Sequence, residues 1–156
     1  MDGKLNTLLA YVANPDEVRN LYSVIREAVI GSLSESGPLN EFQVSNVIEA
    51  ARRGAVQCWL IYLPDKEGTQ ELLGVGLTRI LADPLLQTKQ LLIYGLYGFD
   101  GLSDTAWAAG FARVCEFAKI EGCSEVVAYT KNPRVLEIAD AIGMDSQWRF
   151  IKKEVV

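Results

Sequence analysis

The 156-residue sequence contains no histidine, and that absence excludes more chemistry than any other feature of its composition. Histidine alone changes charge near neutrality without strong perturbation, so Ser-His-Asp triads, Cys-His pairs and His-ligated metals are ruled out. Cysteine is scarce: Cys58, Cys115 and Cys123 are odd in number, show no C-x-x-C spacing and sit among apolar or small residues. They are expected to be reduced core thiols of a cytoplasmic protein, with no metal site. Positive charge is in deficit as well. Fifteen Lys and Arg against twenty Asp and Glu leave a net charge of −5, and no basic run exceeds Arg52-Arg53 or Lys152-Lys153. Nucleic acid and anionic membrane surfaces both demand clustered positive charge, so neither is expected as a partner. No apolar stretch approaches the roughly 20 residues that span a bilayer, and no charged segment followed by an apolar run opens the chain. A protein that is neither exported nor membrane-spanning is expected.

What is present suits one globular domain over residues 1–156, with 49% hydrophobic residues to build a single core. After a short apolar stretch at Leu5 to Val12, Asn14-Pro15-Asp16-Glu17 combines an N-cap, a proline at the first helical position and a capping-box acid. Val18, Leu21, Tyr22, Ile25, Ala28 and Val29 then recur at helical spacing, with Gly31 as the stop. Asn40 and Gln43 repeat the start signal, Val44, Val47, Ile48 and Ala51 form the next stripe, and Gly54 ends it. Three strands follow: Ala55 to Leu63, Glu71 to Leu81 and Lys89 to Phe99. Short links cannot make a parallel crossover, so these should pair antiparallel.

From Ser103 the period is helical again, with Trp107, Phe111, Val114, Cys115 and Ala118 on one face and Gly122 at the end. Ser124 to Thr130 is a buried strand reached by that crossover. Asn132-Pro133 opens a short helix stopped at Gly143, and a last strand is expected near Gln147 to Val155. The order β-α-α-β-β-β-α-β-α-β defines an α/β (α+β) fold, a mixed and mostly antiparallel sheet flanked by helices.

The stretch FAKIEGCSEVVAYTKNPRVLEIADAIGM, Phe117 to Met144, resembles the GNAT superfamily of N-acetyltransferases. Gly122 at a helix end, the strand Val126 to Tyr129, Asn132 after it, and Gly143-Met144 beyond a short helix occupy the places of that family's pattern. The resemblance implies a sheet splayed into a V after the fourth strand, with acetyl-coenzyme A in the opening and its pyrophosphate on the N-terminus of the helix beginning near Ser103. Unpaired amides and the helix dipole favour an anion there. The family's cradle places Arg or Gln, then two glycines, at positions that fall on Leu102, Thr105 and Trp107, and Asp104 adds a negative charge in the same turn. Ser103, Asp104, Thr105 and Leu102 would nevertheless line the pyrophosphate through their backbone, with Asn132 nearby, were acetyl-coenzyme A to bind. The alternative is that Ser103 and Asp104 cap a core helix and that Trp107 packs inward.

The family's usual acid, a tyrosine on the short helix, falls on Ala139. Replacement acids would be Tyr94 or Tyr97 on the fourth strand, Tyr129 on the fifth, or a carboxylate raised by burial. A bulge expected at Gly95 or Gly98 would turn the amide of Leu96 or Tyr97 toward an acetyl carbonyl, unless those glycines only relieve crowding. The degenerate cradle also looks like the acetyltransferase-like proteins carried by some tailed bacteriophages. Three functions stay open: a protein-binding or structural component with no cofactor, cytoplasmic in a host cell or associated with a virion; an acetyl-coenzyme A-dependent N-acyltransferase of low or unusual activity; and a small-ligand sensor. A protein partner is expected in the first case, and an oligomer is compatible with all three.

Overall fold

A computed structural model of the chain describes residues 8–33, 38–64, 70–98 and 103–155. Strand β1 (Leu9–Val12) leads into helix α1 (Pro15–Asn20), where the Asn14 side chain accepts the Glu17 amide at 2.8 Å and the Glu17 carboxylate accepts the Asn14 amide at 3.1 Å. The capping box therefore forms as the sequence predicts. The single helix expected from Asn14 to Gly31 is instead two, α1 and α2 (Tyr22–Leu33), separated at Leu21. Helix α2 also continues through Gly31, which does not act as a stop. A Cβ at Gly31 would overlap Tyr97 Cε2, so the glycine lets the helix lie close on the sheet. Helix α3 (Glu41–Arg53) starts on the Asn40–Gln43 capping box and ends at Gly54, which adopts a left-handed conformation (φ 83°).

Strands β2 (Gln57–Pro64), β3 (Gln70–Asp83) and β4 (Thr88–Gly98) form the expected antiparallel run, with β1 antiparallel to β2 at one edge. Helix α4 (Asp104–Ile120) crosses over to strand β5 (Glu125–Ala128), which is parallel to β4, and α5 (Pro133–Ala141) follows. The sheet order is β1-β2-β3-β4-β5. This is the mixed, mostly antiparallel architecture the sequence predicts.

Alternation along the strands gives the sheet two apolar faces. On one, Cys58, Leu60, Val75 and Leu77 meet Val18, Ile25 and Val29 of α1 and α2 and Val44 and Ile48 of α3, all buried. On the other, Ala10, Trp59 and Ile61 meet Trp107, Val114 and Phe117 of α4, and the Trp59 and Phe117 rings stand edge to face at 5.4 Å. The second face is the thinner one, since Ala118 is the one buried residue of α4.

The last strand predicted at Gln147 to Val155 does not form. Residues 144–155 carry no sheet pairing, and Trp148, Phe150, Ile151 and Val155 are exposed. β-Propensity measures how well a side chain suits a neighbouring strand, and here no strand is alongside.

Candidate functional site

The β4–β5 ladder runs only from Gln90↔Glu125 to Ile93↔Ala128, while β4 itself continues to Gly98. The two strands part there, giving the V-shaped opening. A bulge accompanies the parting: Leu77 faces Gly95 and Thr78 faces Ile93, so Tyr94 is the extra residue of β4. The bulge lies in the expected strand but at Tyr94, not at Gly95 or Gly98. Leu96 and Tyr97 sit in regular register opposite Gly76 and Val75. Gly95 has a packing role, because a Cβ there would come 2.6 Å from Ser32 Oγ of α2.

Below the opening, α4, α5 and the C-terminal segment enclose a cleft of about 1130 Å³ against the thinner face of the sheet. Trp59, Thr78, Ile93 and Leu96 form its floor, Trp107 and Phe111 its α4 wall, and Tyr129 and Phe150 its rim. Floor rigidity comes from a buried relay in which Trp59 Nε1 donates to Thr78 Oγ1 and Thr78 Oγ1 donates to Gln57 Oε1, both at 2.9 Å. The charged groups on the cleft are peripheral: Glu125, which accepts from Gln90 Nε2 at 2.8 Å, with Asp145, Arg149 and Lys119.

The three candidate tyrosines are not brought together. Tyr129 lines the cleft, its ring 4.8 Å from that of Phe150. Tyr97 packs on the opposite face of the sheet against the α1–α3 core and donates to Glu27 Oε1 at 3.3 Å, and burial followed by the Glu27 charge pushes its phenol above the ordinary value. Tyr94 is the bulged residue and is exposed. Burial pushes both the Cys58 and Cys115 thiols up, Cys58 to about 12, which disfavours the thiolate at both.

At the N-terminus of α4, Ser103 is the N-cap and its Oγ accepts the Ala106 amide at 3.1 Å. Asp104 in the first turn accepts from Arg134 Nη2 at 2.7 Å. Arg134 comes from the start of α5, where the Asn132 side chain is the N-cap and accepts the Arg134 amide at 3.0 Å. Ser103, Asp104 and Asn132 are thus committed to capping and to one ion pair bridging α4 and α5. Thr105 faces a smaller cavity of about 410 Å³ between those helices, beside Arg134 and Glu137. Leu102 lies outside the described residues. Trp107 packs inward against Ala10, Trp59 and Ile61.

Sequence reasoning missed Arg134, the floor relay and the aromatic tail. No spacing in the sequence links Arg134 to Asp104, thirty residues away, and Trp148 and Phe150 fall within the strand expected at Gln147 to Val155. Among the described residues no group of side chains could hold a metal ion, and no helix is long and apolar enough to cross a membrane.

No protein-family model and no curated protein matches the sequence. Solved structures do match over the whole chain. An acetyltransferase of Trypanosoma brucei is 16% identical with a TM-score of 0.65, covering 96% of this chain and 100% of its own. AAC(6')-Iy in complex with the bisubstrate analogue CoA-S-monomethyl-acetylneamine is 12% identical with a TM-score of 0.69, covering 96% and 99%. An aminoglycoside acetyltransferase from an uncultured soil metagenomic sample, in complex with sisomicin, is 9% identical with a TM-score of 0.71, covering 100% and 99%. At these identities the likeness establishes the fold, which is that of the GNAT acetyltransferases.

Proposed function

We propose that this chain keeps the GNAT acetyltransferase fold but acts by binding a protein partner, without catalysing acetyl transfer. The observation that carries this reading is the Asp104–Arg134 pair at the start of α4. A helix N-terminus attracts an anion through its dipole and its free amides. Here the protein's own Asp104 carboxylate complements the dipole, and Ser103 Oγ takes one of the amides. A pyrophosphate arriving at the same turn meets like charge. The tyrosine candidates for the proton-donating role are dispersed over both faces of the sheet, and Ala139 stands at the family's acid position. The setting suggested by the sequence resemblance is a tailed bacteriophage, with the protein in the host cytoplasm or on the virion.

A second reading, an N-acyltransferase using acetyl-coenzyme A, draws support from two features. The Tyr94 bulge and the parting of β4 from β5 put irregular backbone where a thioester carbonyl would be held. Arg134 is a basic group at the correct corner, and an exposed ion pair is worth only about 0–1 kcal/mol, so a phosphate could draw it away from Asp104.

A thermal-shift titration with acetyl-coenzyme A separates the two. A ligand at 100 times its Kd stabilises by about 2.7 kcal/mol, roughly 5–11 °C for a domain of this size. The proposal expects no shift at 1 mM. A saturable shift at micromolar concentration, or turnover of any amine near 1 s⁻¹, would overturn it in favour of the transferase.

A further inference from the structure

Helix α4 turns an apolar face toward the sheet, yet that face is not closed over. Trp107, Gly110, Phe111, Val114 and Cys115 recur at helical spacing, line the cleft and are only half-buried, whereas Ala118 near the end of the helix is covered. Across from them stand Ala10, Trp59, Ile61 and Gly76 of β1, β2 and β3. This inner part of the cleft lies under the first three strands, away from the parting of β4 and β5.

A glycine holds the inner part open from the helix side. Glycine inside a helix is unfavourable against alanine, and at Gly31 the close approach of a ring explains it. Gly110 has no such neighbour: an added Cβ would meet Leu8 Cδ2 at 3.9 Å and, among the described residues, no other atom within 4 Å. The whole cleft, at about 1130 Å³, exceeds the roughly 300–1,000 Å³ of ordinary small-molecule sites, so its inner part has room for a bicyclic molecule.

Chemistry selects what can enter. Lys119, Glu125, Asp145 and Arg149 are exposed at the periphery, and the polar atoms of the floor satisfy one another through the Trp59–Thr78–Gln57 relay. A charge carried inward would be left unpaired, which is prohibitive. A ring, by contrast, finds Trp107 and Phe111 on one side and Trp59 on the other, and Trp59 already takes the Phe117 ring edge to face at 5.4 Å.

We infer that the inner part of the cleft is a binding site for a flat, uncharged aromatic molecule, held between α4 and strands β2 and β3 by apolar and ring contacts. Such a ligand completes the thinner core layer and so couples its own binding to the seating of α4. The inference goes beyond partner binding and holds whether or not acetyl-coenzyme A binds.

Titration of the ¹⁵N-labelled full chain with naphthalene tests it, because the three tryptophans sit at different depths of the cleft. Saturable shifts of the Trp59 and Trp107 indole N–H signals are expected, while that of Trp148, 83% exposed, stays in place. No saturable shift up to the solubility of naphthalene, or a shift of Trp148 alone, would overturn the inference. The naphthoate anion should bind more weakly by about tenfold or more, and equal affinity would refute a site for uncharged molecules. Gly110→Leu, which fills the space from the helix side, should weaken naphthalene by about tenfold or more with the circular dichroism unchanged. The smaller Gly110→Ala should weaken it less. Undiminished binding in either folded variant would place the ligand elsewhere and refute the site.

Discussion

Substituting Gly31 with alanine tests how the first layer of helices is seated on the sheet. Gly31 lies inside α2, where alanine is intrinsically better by about 1 kcal/mol. Propensity alone therefore predicts stabilisation. The structure predicts the reverse, because an added Cβ would overlap Tyr97 Cε2 and stand 2.5 Å from Cδ2. The Tyr97 ring has little freedom to retreat, being packed against the α1–α3 core and tied to Glu27 through its hydroxyl. Overpacking of this kind costs about 1–3 kcal/mol, which offsets the propensity gain and leaves a net loss of about 1 kcal/mol. In urea denaturation, with a slope near 2 kcal/mol/M, the midpoint should fall by about 0.5 M. The decisive measurement is the cycle with Tyr97→Leu. Once the ring is gone, Gly31→Ala should be neutral or stabilising, giving a coupling of at least about 1 kcal/mol, within the range of residues in direct contact. A higher midpoint for Gly31→Ala alone, or additive effects in the pair, would refute the close approach of α2 to β4.

Thr78→Val should cost about 1–3 kcal/mol in the same assay, since it leaves Trp59 Nε1 without its acceptor and Gln57 Oε1 without its donor in a buried setting; an unchanged midpoint would mean that water substitutes. Stability should decline on the alkaline side: burial raises Cys58 from 9.0 to about 12, and burial with the Glu17 hydrogen bond raises Tyr11 from 10.0 to about 12. A raised acid stabilises the fold fully below its unfolded pKa and progressively less above it, so the loss should begin near pH 9 and extend to about 12, at about 1.4 kcal/mol per pH unit for the buried Cys58 and less for Tyr11, whose exposure to solvent screens its contribution; a Cys58→Ala variant should show a later onset, measurable by denaturation at pH 9.5 against 8. Asp104→Asn should leave acetyl-coenzyme A unbound if the cleft has lost the cofactor, whereas micromolar binding in that variant alone would identify Asp104 as what repels it.

The elements most legible in the sequence are those whose cause is local. Both capping boxes, Asn14 with Glu17 and Asn40 with Gln43, form as written, because the side chain that marks the boundary is also the one that satisfies its amides. The three antiparallel strands follow from short connections that permit no other geometry. Gly31 shows the limit of such reasoning. A glycine at the end of an apolar stripe has the form of a helix stop, but its cause is a ring that arrives from a residue 66 positions later. The tail fails for the same reason in reverse: alternating aromatic and basic residues have the composition of a strand, and composition does not supply a neighbour.

At the candidate site, the difference between backbone and side chain decides what could be read. A motif comparison places the cradle on Leu102, Thr105 and Trp107 and finds other residues there, which says what departs from the pattern but not what those residues do. What stands at that turn is a contact between helices, Asp104 of α4 with Arg134 of α5, and no spacing within either helix announces it. The bulge behaves oppositely. It depends on main-chain pairing and is present in β4 although the adjacent Gly95 serves the helix behind the sheet, through the approach of Ser32. Backbone features of a fold depend less on side-chain motifs, because the sheet needs its twist and its parting of strands whatever ligand it holds. A bulged fourth strand is consequently weak evidence for catalysis in this chain, and the charge placed at the N-terminus of α4 is the stronger evidence about its ligand.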